Sequence, residues 1–475
     1  MSFAFTEPLR RTLLRPSNKF LYSALSFLVL LFFVASLMQP YVTDDALIYA
    51  LIGKGIYAKG LLPFSFAFDH KPIFTYYIYG LVALLSSDDF PKYQVLSVIG
   101  YAASAFLTAR IAGKEKWWLH FLVISGLSIH FLRFSGNTEL FFSPIAIFSV
   151  YLLLQRPSYS AALFSGLLAS MAFNINYLAL FSFGPAALYA IWSGPAPSGR
   201  KAALTAVATM SFVAGFLLIL SPLAFSHTTS IPEYFQAQGR FYHGYAGQEI
   251  GRTLWKFVIG ALPMLVLLGL CLPCEEKDRR KRNAIFLVAL FAALAAFISK
   301  KNFTYYWYPV VLPTVIIWAM SSYRNKHGVA LISVLTIALL TAPSIIYQYK
   351  LVNVASSYDF DKYRELKETT GSEKVLLIRA HNSIPLFSDI ELATPLVWPN
   401  HAQLFYGPDE DVYFLEQLKS GVKFVLMRPD ACVRLPLVQS CAYVRRHFDK
   451  GMTFDTGDPY QKADLYRLKA PGSPG

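Results

Sequence analysis

Charged residues are scarce. Asp, Glu, Lys and Arg make up 15% of the 475-residue chain, against about a quarter in a soluble domain. Only four cysteines are present, too few for a disulfide-stapled scaffold. No internal repeat, low-complexity stretch or coiled-coil pattern is visible, and a disordered chain is excluded as well. What the chain has instead is apolar surface. Hydrophobic residues reach 55% and aromatics 16%, with a mean hydropathy of +0.41. A soluble core needs far less, so the composition describes a polytopic α-helical membrane protein.

The net charge of +14 is unevenly spread. Residues 350–475 hold 16 basic and 16 acidic residues, whereas residues 1–349 hold 27 and 13. The excess therefore belongs to the apolar part of the chain. Cytoplasmic loops of a membrane protein account for it, and nucleic acid is not expected as a partner.

Clear apolar runs, candidates to cross a bilayer, occupy 20–39, 93–111, 117–134, 140–154, 202–224, 253–272, 284–299, 306–321 and 329–346. The run 160–192 is too long for one span and is broken at Phe173-Asn174-Ile175-Asn176, predicting two helices and a tight turn. The run 73–87 is short and follows Lys71-Pro72. Loop charge assigns it to the membrane surface. With eleven spans and a cytoplasmic N-terminus, the cytoplasmic loops carry 17 of the 27 Lys and Arg in residues 1–349. This arrangement puts 40–92, 225–252 and everything after 347 outside. Four basic residues precede the first apolar run, which has no small-residue cleavage site and is expected to be an anchor.

Two domains are expected: 1–349 in the membrane and 350–475 as a small extracytoplasmic α/β domain. In the second, Lys374–Ala380 and Val422–Arg428 read as buried strands, and Phe360–Thr369 and Asp409–Ser420 as amphipathic helices. Cys271 and Cys274 read as reduced thiols at the end of a span. Cys432 and Cys441 can pair in an oxidising compartment.

The first outside loop carries the chemistry. It opens Tyr41-Val42-Thr43-Asp44-Asp45-Ala46-Leu47-Ile48-Tyr49, continues through an amphipathic stretch 45–58 to Gly60, and reaches Phe68-Asp69-His70-Lys71-Pro72. Two carboxylates beside hydrocarbon are costly to desolvate, so they are candidates for function. Without more, solvation at the headgroups explains them equally well.

The acid pair followed by Ala-x-Ile-Tyr, the glycine near 60 and the His-Lys-Pro box resemble the first external loop of the GT-C glycosyltransferases. The branch is that of bacterial aminoarabinose transferases and protein O-mannosyltransferases. Further matches are Arg133-Phe134-Ser135-Gly136-Asn137-Thr138-Glu139, where the family has a second acidic residue, and Lys300-Lys301-Asn302-Phe303-Thr304-Tyr305-Tyr306-Trp307-Tyr308-Pro309. The loop 225–252, with Arg240, His243 and Arg252, falls where the family closes its active site. The resemblance covers about residues 20–320. It implies a GT-C fold in which 73–87 is an interfacial helix. The box departs from the family's Glu-Lys-Pro-Pro by reading His-Lys-Pro-Ile, which removes a Glu used for metal in relatives.

The implied reaction moves a sugar from a polyprenyl-phosphate donor to a glycan, lipid or protein acceptor at the outer face of a bacterial inner membrane. It needs a carboxylate base, for which Asp45 leads and Asp44 is second, with Glu139 supporting the base or the acceptor. It needs cations on the phosphate leaving group, and Lys71, Lys300, Lys301 and Arg240 are the candidates. Tyr49, His70, His243, Tyr305 and Tyr306 are candidate substrate contacts, and Phe64, Phe66 and Phe68 candidate walls of a lipid groove. A divalent metal is an open option: His70 and His243 are ligand types without a recognisable spacing. Aromatic belts, snorkelling lysines and turn asparagines are the plain alternatives for these residues. A lipid-linked-sugar transporter is the alternative function, and a noncatalytic envelope-assembly partner a third.

Overall fold

The computed structural model describes residues 44–85, 91–113, 137–226, 230–244, 262–271, 278–299, 304–321, 360–434, 437–455 and 462–470, with parts of 120–128 and 254–258. The expected spans 20–39 and 329–346 lie outside these residues. The chain divides into two compact units. One comprises 1–39, 94–216 and 248–349, the other 40–93, 217–247 and 350–475.

The first unit is helical. Among the described residues, four helices are long and apolar enough to cross a membrane: Val95–Ala112, Thr138–Gln155, Ser198–Ala224 and Arg279–Ile298. Shorter apolar helices occupy Tyr159–Ile175 and Leu178–Trp192. The chain is a multi-pass membrane protein. Its large exposed apolar side chains, such as Phe106, Phe164, Leu188 and Met210, suit contact with lipid rather than water. Packing inside the unit uses small residues. Ser149 donates to Ser165 O at 3.0 Å. A Cβ at Gly166 would collide with Ala208 O and Ser211 Oγ, so glycine is what lets those two helices approach.

The break expected within 160–192 is present. The first helix ends at Ile175 and the next begins at Leu178. Asn176 accepts the Leu178 N–H on its side-chain oxygen at 3.0 Å, so its side chain bonds back to the backbone across the break. Asn174 donates to Ser170 O at 2.9 Å, satisfying its buried amide within its own helix.

The second unit joins two short helices, a loop and a sheet. Helices Asp44–Lys59 and Ile73–Leu85 pack on each other. Their crossing is fixed by Gly53 and Gly80, since a Cβ at Gly53 would run into the Gly80 backbone. The second helix has 13 residues, about 20 Å of axial rise, which is shorter than the hydrocarbon core. Gly60 takes a left-handed conformation (φ 64°) just after Lys59.

The sheet has five strands: β1 Lys374–Ile378, β2 Glu391–Leu392, β3 Phe424–Met427, β4 Phe448–Phe454 and β5 Ala463–Leu468, in the order β2-β1-β3-β5-β4. β1 runs parallel to β2 and β3, with Val375 opposite Phe424 and Ile378 opposite Met427. β5 is antiparallel to both β3 and β4. Strands β1 and β3 are the two the sequence predicts, and both are apolar throughout apart from the exposed Lys374. Helices Phe360–Thr370 and Glu410–Lys419 also match expectation. Cys432 and Cys441, whose pairing the sequence leaves open, form a disulfide, and Cys271 is a buried free thiol.

The core of the α/β part is completed by the other segments of the unit. Phe68 and Phe241 pack with Leu376, Ile378, Val425 and Met427. Phe68 N–H donates to Pro395 O at 2.7 Å. Lys59 donates to Glu391 at 2.9 Å, and Lys54 lies 3.6 Å from Asp389. The 44–59 helix and the 60–72 loop are thus tied to the sheet by backbone, ion pairs and core.

Candidate functional site

Two groups of polar side chains stand out, one in each unit. The first is built on the loop between the helices Asp44–Lys59 and Ile73–Leu85. Asp44 and Asp45 are the first two residues of the 44–59 helix, and Asp45 is half-buried. A helix N-terminus favours carboxylates through its unpaired N–H groups and dipole. Tyr49, one turn on, is buried, with its ring edge-on to Tyr79 at 5.2 Å and tilted to Tyr76 at 6.3 Å.

Tyr76 connects that helix to the box. Its hydroxyl lies 2.9 Å from Lys71 O, 3.0 Å from Asp69 O and 3.3 Å from Asp69 Oδ2. His70 Nδ1 donates to Asp69 Oδ1 at 2.9 Å, and the Lys71 N–H donates to Asp69 Oδ2 at 3.2 Å. Asp69, His70 and Lys71 are all buried. Burial alone would push the Asp69 carboxyl up. The charge and hydrogen bond of His70, with the charge of Lys71, outweigh it and hold Asp69 well below the carboxylate range.

The helix Ile231–Gly244 forms another wall. Gln238 donates to Lys71 O at 3.2 Å and lies 3.4 Å from Asp69 O. Tyr242 donates to His70 O at 3.2 Å, and Phe241 stacks flat on the His70 ring at 4.4 Å. Arg240 is exposed on the same helix, and its charge reaches Tyr406. His243 lies in the last turn. Phe68 is 1% exposed in the sheet core, so it does not line a groove as expected. Phe66 is also buried, beneath the Lys59 ammonium at 5.2 Å. Phe64 packs on Phe68 and Tyr234, at 4.7 and 5.2 Å.

The second group lies in the helical unit. Glu139 is 1% exposed in the first turn of the helix Thr138–Gln155. Its Oε1 accepts from Asn176 Nδ2 at 3.0 Å, and its Oε2 from the Thr138 hydroxyl at 3.1 Å. The turn Thr304–Val310 packs on the same helix. Within it Tyr306 is buried and Tyr305 half-buried, with ring centroids 4.7 Å apart. Lys300 and Lys301 lie outside the described residues.

Sequence reasoning assigned no role to Asp69, Gln238, Tyr242 or His401, and read Asn176 only as a turn residue. Asp69 had a signal, being an acid next to the His-Lys-Pro box. His401, Gln238 and Tyr242 had none, because only the fold brings them to residues 69–71. The described residues include no group of three His, Cys, Asp or Glu side chains able to hold a metal ion. His70 Nδ1 is engaged with Asp69. The donor set described does not fit a metal.

The architecture is that of a multi-pass helical membrane protein with the short helices Asp44–Lys59 and Ile73–Leu85 and a small C-terminal sheet. Solved structures with a similar fold include two of one protein. They are ArnT from Cupriavidus metallidurans bound to undecaprenyl phosphate and the same protein in the apo state. The first aligns with a TM-score of 0.58 at 14% identity over 97% of this chain and 100% of that one. The second gives 0.57 and 14%, over 94% and 97%. The archaeal oligosaccharyltransferase AglB from Archaeoglobus fulgidus, in complex with an inhibitory peptide and a dolichol-phosphate, aligns at 0.45 and 12%, over 96% and 75%. No family model matches the chain, and no curated protein does.

Proposed function

We propose that the chain is a membrane glycosyltransferase that moves a sugar from a polyprenyl-phosphate donor to an envelope acceptor. The acceptor is a lipopolysaccharide or lipid A, a cell-wall glycan or a protein. The observation that carries this reading is the buried Asp69-His70-Lys71 box, joined through Tyr76 and Tyr49 to the helix that begins with Asp44 and Asp45. It sits in a fold shared with a protein that binds undecaprenyl phosphate.

The reaction is a single displacement with inversion. The acceptor oxygen or nitrogen attacks the anomeric carbon while the bond from that carbon to the phosphate oxygen breaks. Asp45 takes the acceptor proton, with Asp44 as the second carboxylate. Polyprenyl phosphate leaves as an anion stabilised by Lys71, with Arg240, Lys300 and Lys301 as further cations. Glu139 holds the acceptor or supports the base. Tyr49, His70, His243, Tyr305 and Tyr306 contact substrate.

The chain lies in a bacterial inner membrane with its N-terminus in the cytoplasm. The second unit collects the three segments that loop charge assigns to the outside, and this supports an outer-face reaction. The test is transfer of radiolabel from a panel of polyprenyl-phosphate sugars into envelope fractions. Wild type is expected to label one fraction, and Asp45→Asn and Lys71→Ala, at equal protein levels, to lose the label. Full labelling by both variants would refute the proposal.

A further inference from the structure

His401 is completely buried at the start of the helix His401–Tyr406. Its ring is edge-on to Phe68 at 5.4 Å, Phe241 at 5.5 Å and Trp398 at 5.1 Å. Neither ring nitrogen makes a hydrogen bond among the described residues. Nε2 lies 3.8 Å from Asp69 Oδ1, beyond hydrogen-bond reach. Burying an imidazole with both nitrogens unbonded is unfavourable, yet aromatic rings and the Phe68–Pro395 backbone bond hold this one beside a carboxylate. Burial pushes its pKa down to about 3, against the pull of Asp69, so the ring is neutral and has one N–H to donate.

The carboxylate beside it draws on Lys71. Asp69 is held ionised by His70 and by the Lys71 charge. A phosphate bound to Lys71 takes that charge for itself and adds a second anion nearby. Asp69 then needs another donor. The His401 N–H is within about 1 Å of making that bond, given ordinary donor–acceptor distances.

We propose that His401 is a positioning residue of the donor site, whose imidazole takes up the Asp69 carboxylate when a lipid phosphate engages Lys71. The α/β domain thereby holds the phosphate box in its bound form. This rests on the reading of Lys71 as the phosphate-binding cation.

The experiment is undecaprenyl phosphate binding to the purified full chain in lipid nanodiscs, with the thermal midpoint of each variant recorded. Lys71→Ala is expected to weaken binding strongly. His401→Phe keeps a ring among Phe68, Phe241 and Trp398 but has no nitrogen, and is expected to raise Kd about tenfold with little change in midpoint. His401→Gln carries a side-chain N–H, and is expected to bind within about threefold of wild type. Wild-type affinity in His401→Phe, with His401→Gln the weaker binder, would make the ring a filler and overturn the proposal. Wild-type affinity in Lys71→Ala would overturn the donor-site reading, and this proposal with it.

Discussion

The Asn176 side-chain amide donates to Glu139 Oε1 at 3.0 Å, joining residues 37 positions apart. Glu139 opens the helix Thr138–Gln155 and Asn176 closes the helix Tyr159–Ile175, so the bond ties together one end of a helical pair. A buried carboxylate without its donor carries the desolvation penalty in full. Asn176→Ala is therefore expected to lower stability by about 1–3 kcal/mol and to reduce transfer. Thermal unfolding in detergent, with transfer rate alongside, checks both. An unchanged midpoint would mean that the bond contributes nothing.

The crossing of helices 44–59 and 73–85 leaves no room at Gly53. Gly53→Ala should cost about 1–3 kcal/mol through overpacking. Gly239→Ala, on a helix where nothing lies within 4 Å of the added methyl, should be neutral or slightly stabilising. Equal effects in the two variants would contradict the packing account.

Removing the Cys432–Cys441 disulfide by a double serine substitution should destabilise the α/β part by about 2–4 kcal/mol. The same pair reports compartment. If residues beyond 347 are outside, the two thiols are oxidised in cells and react with maleimide only after reduction. Reactive thiols in freshly isolated membranes would place this part of the chain in the cytoplasm.

Acid should weaken the second unit in a defined order. His401 has a folded pKa of about 3, below its ordinary 6.5. Between those values the unfolded chain binds the extra proton, so stability falls as pH drops below about 6.5, by at most about 1.4 kcal/mol per unit. The Asp69 pKa is also depressed. Its contribution is present above the ordinary carboxylate range and is lost only at lower pH. His401→Phe should therefore flatten the pH 6.5 to 4 limb of the melting curve and leave the more acidic limb. Superimposable curves for wild type and His401→Phe would exclude His401 as the titrating group.

Much of the fold is legible in the residues. β1 and β3 are apolar runs bounded by charge, and the helix break at Asn176 is marked by two asparagines in an apolar stretch. β4 is not legible in that way: it is exposed between its two buried ends, Phe448 and Phe454, so it lacks the apolar signature of a strand. The acid pair and the His-Lys-Pro box stand close in sequence and could be read together. His401 could not, because 330 residues separate it from Lys71 and only the shared core around Phe68 and Phe241 brings it to the box. The Asn176 bond to Glu139 was hidden because a turn already explained the asparagine.

The central claim is that Asp45 is the base in sugar transfer from a lipid phosphate. The most direct measurement is single-turnover transfer by the purified chain in nanodiscs, using the donor that labels envelopes, for wild type and Asp45→Asn. The account predicts the same donor affinity and a rate lower by about 10²–10⁴-fold in the variant, the usual contribution of a general base. A variant that transfers at the wild-type rate would contradict it.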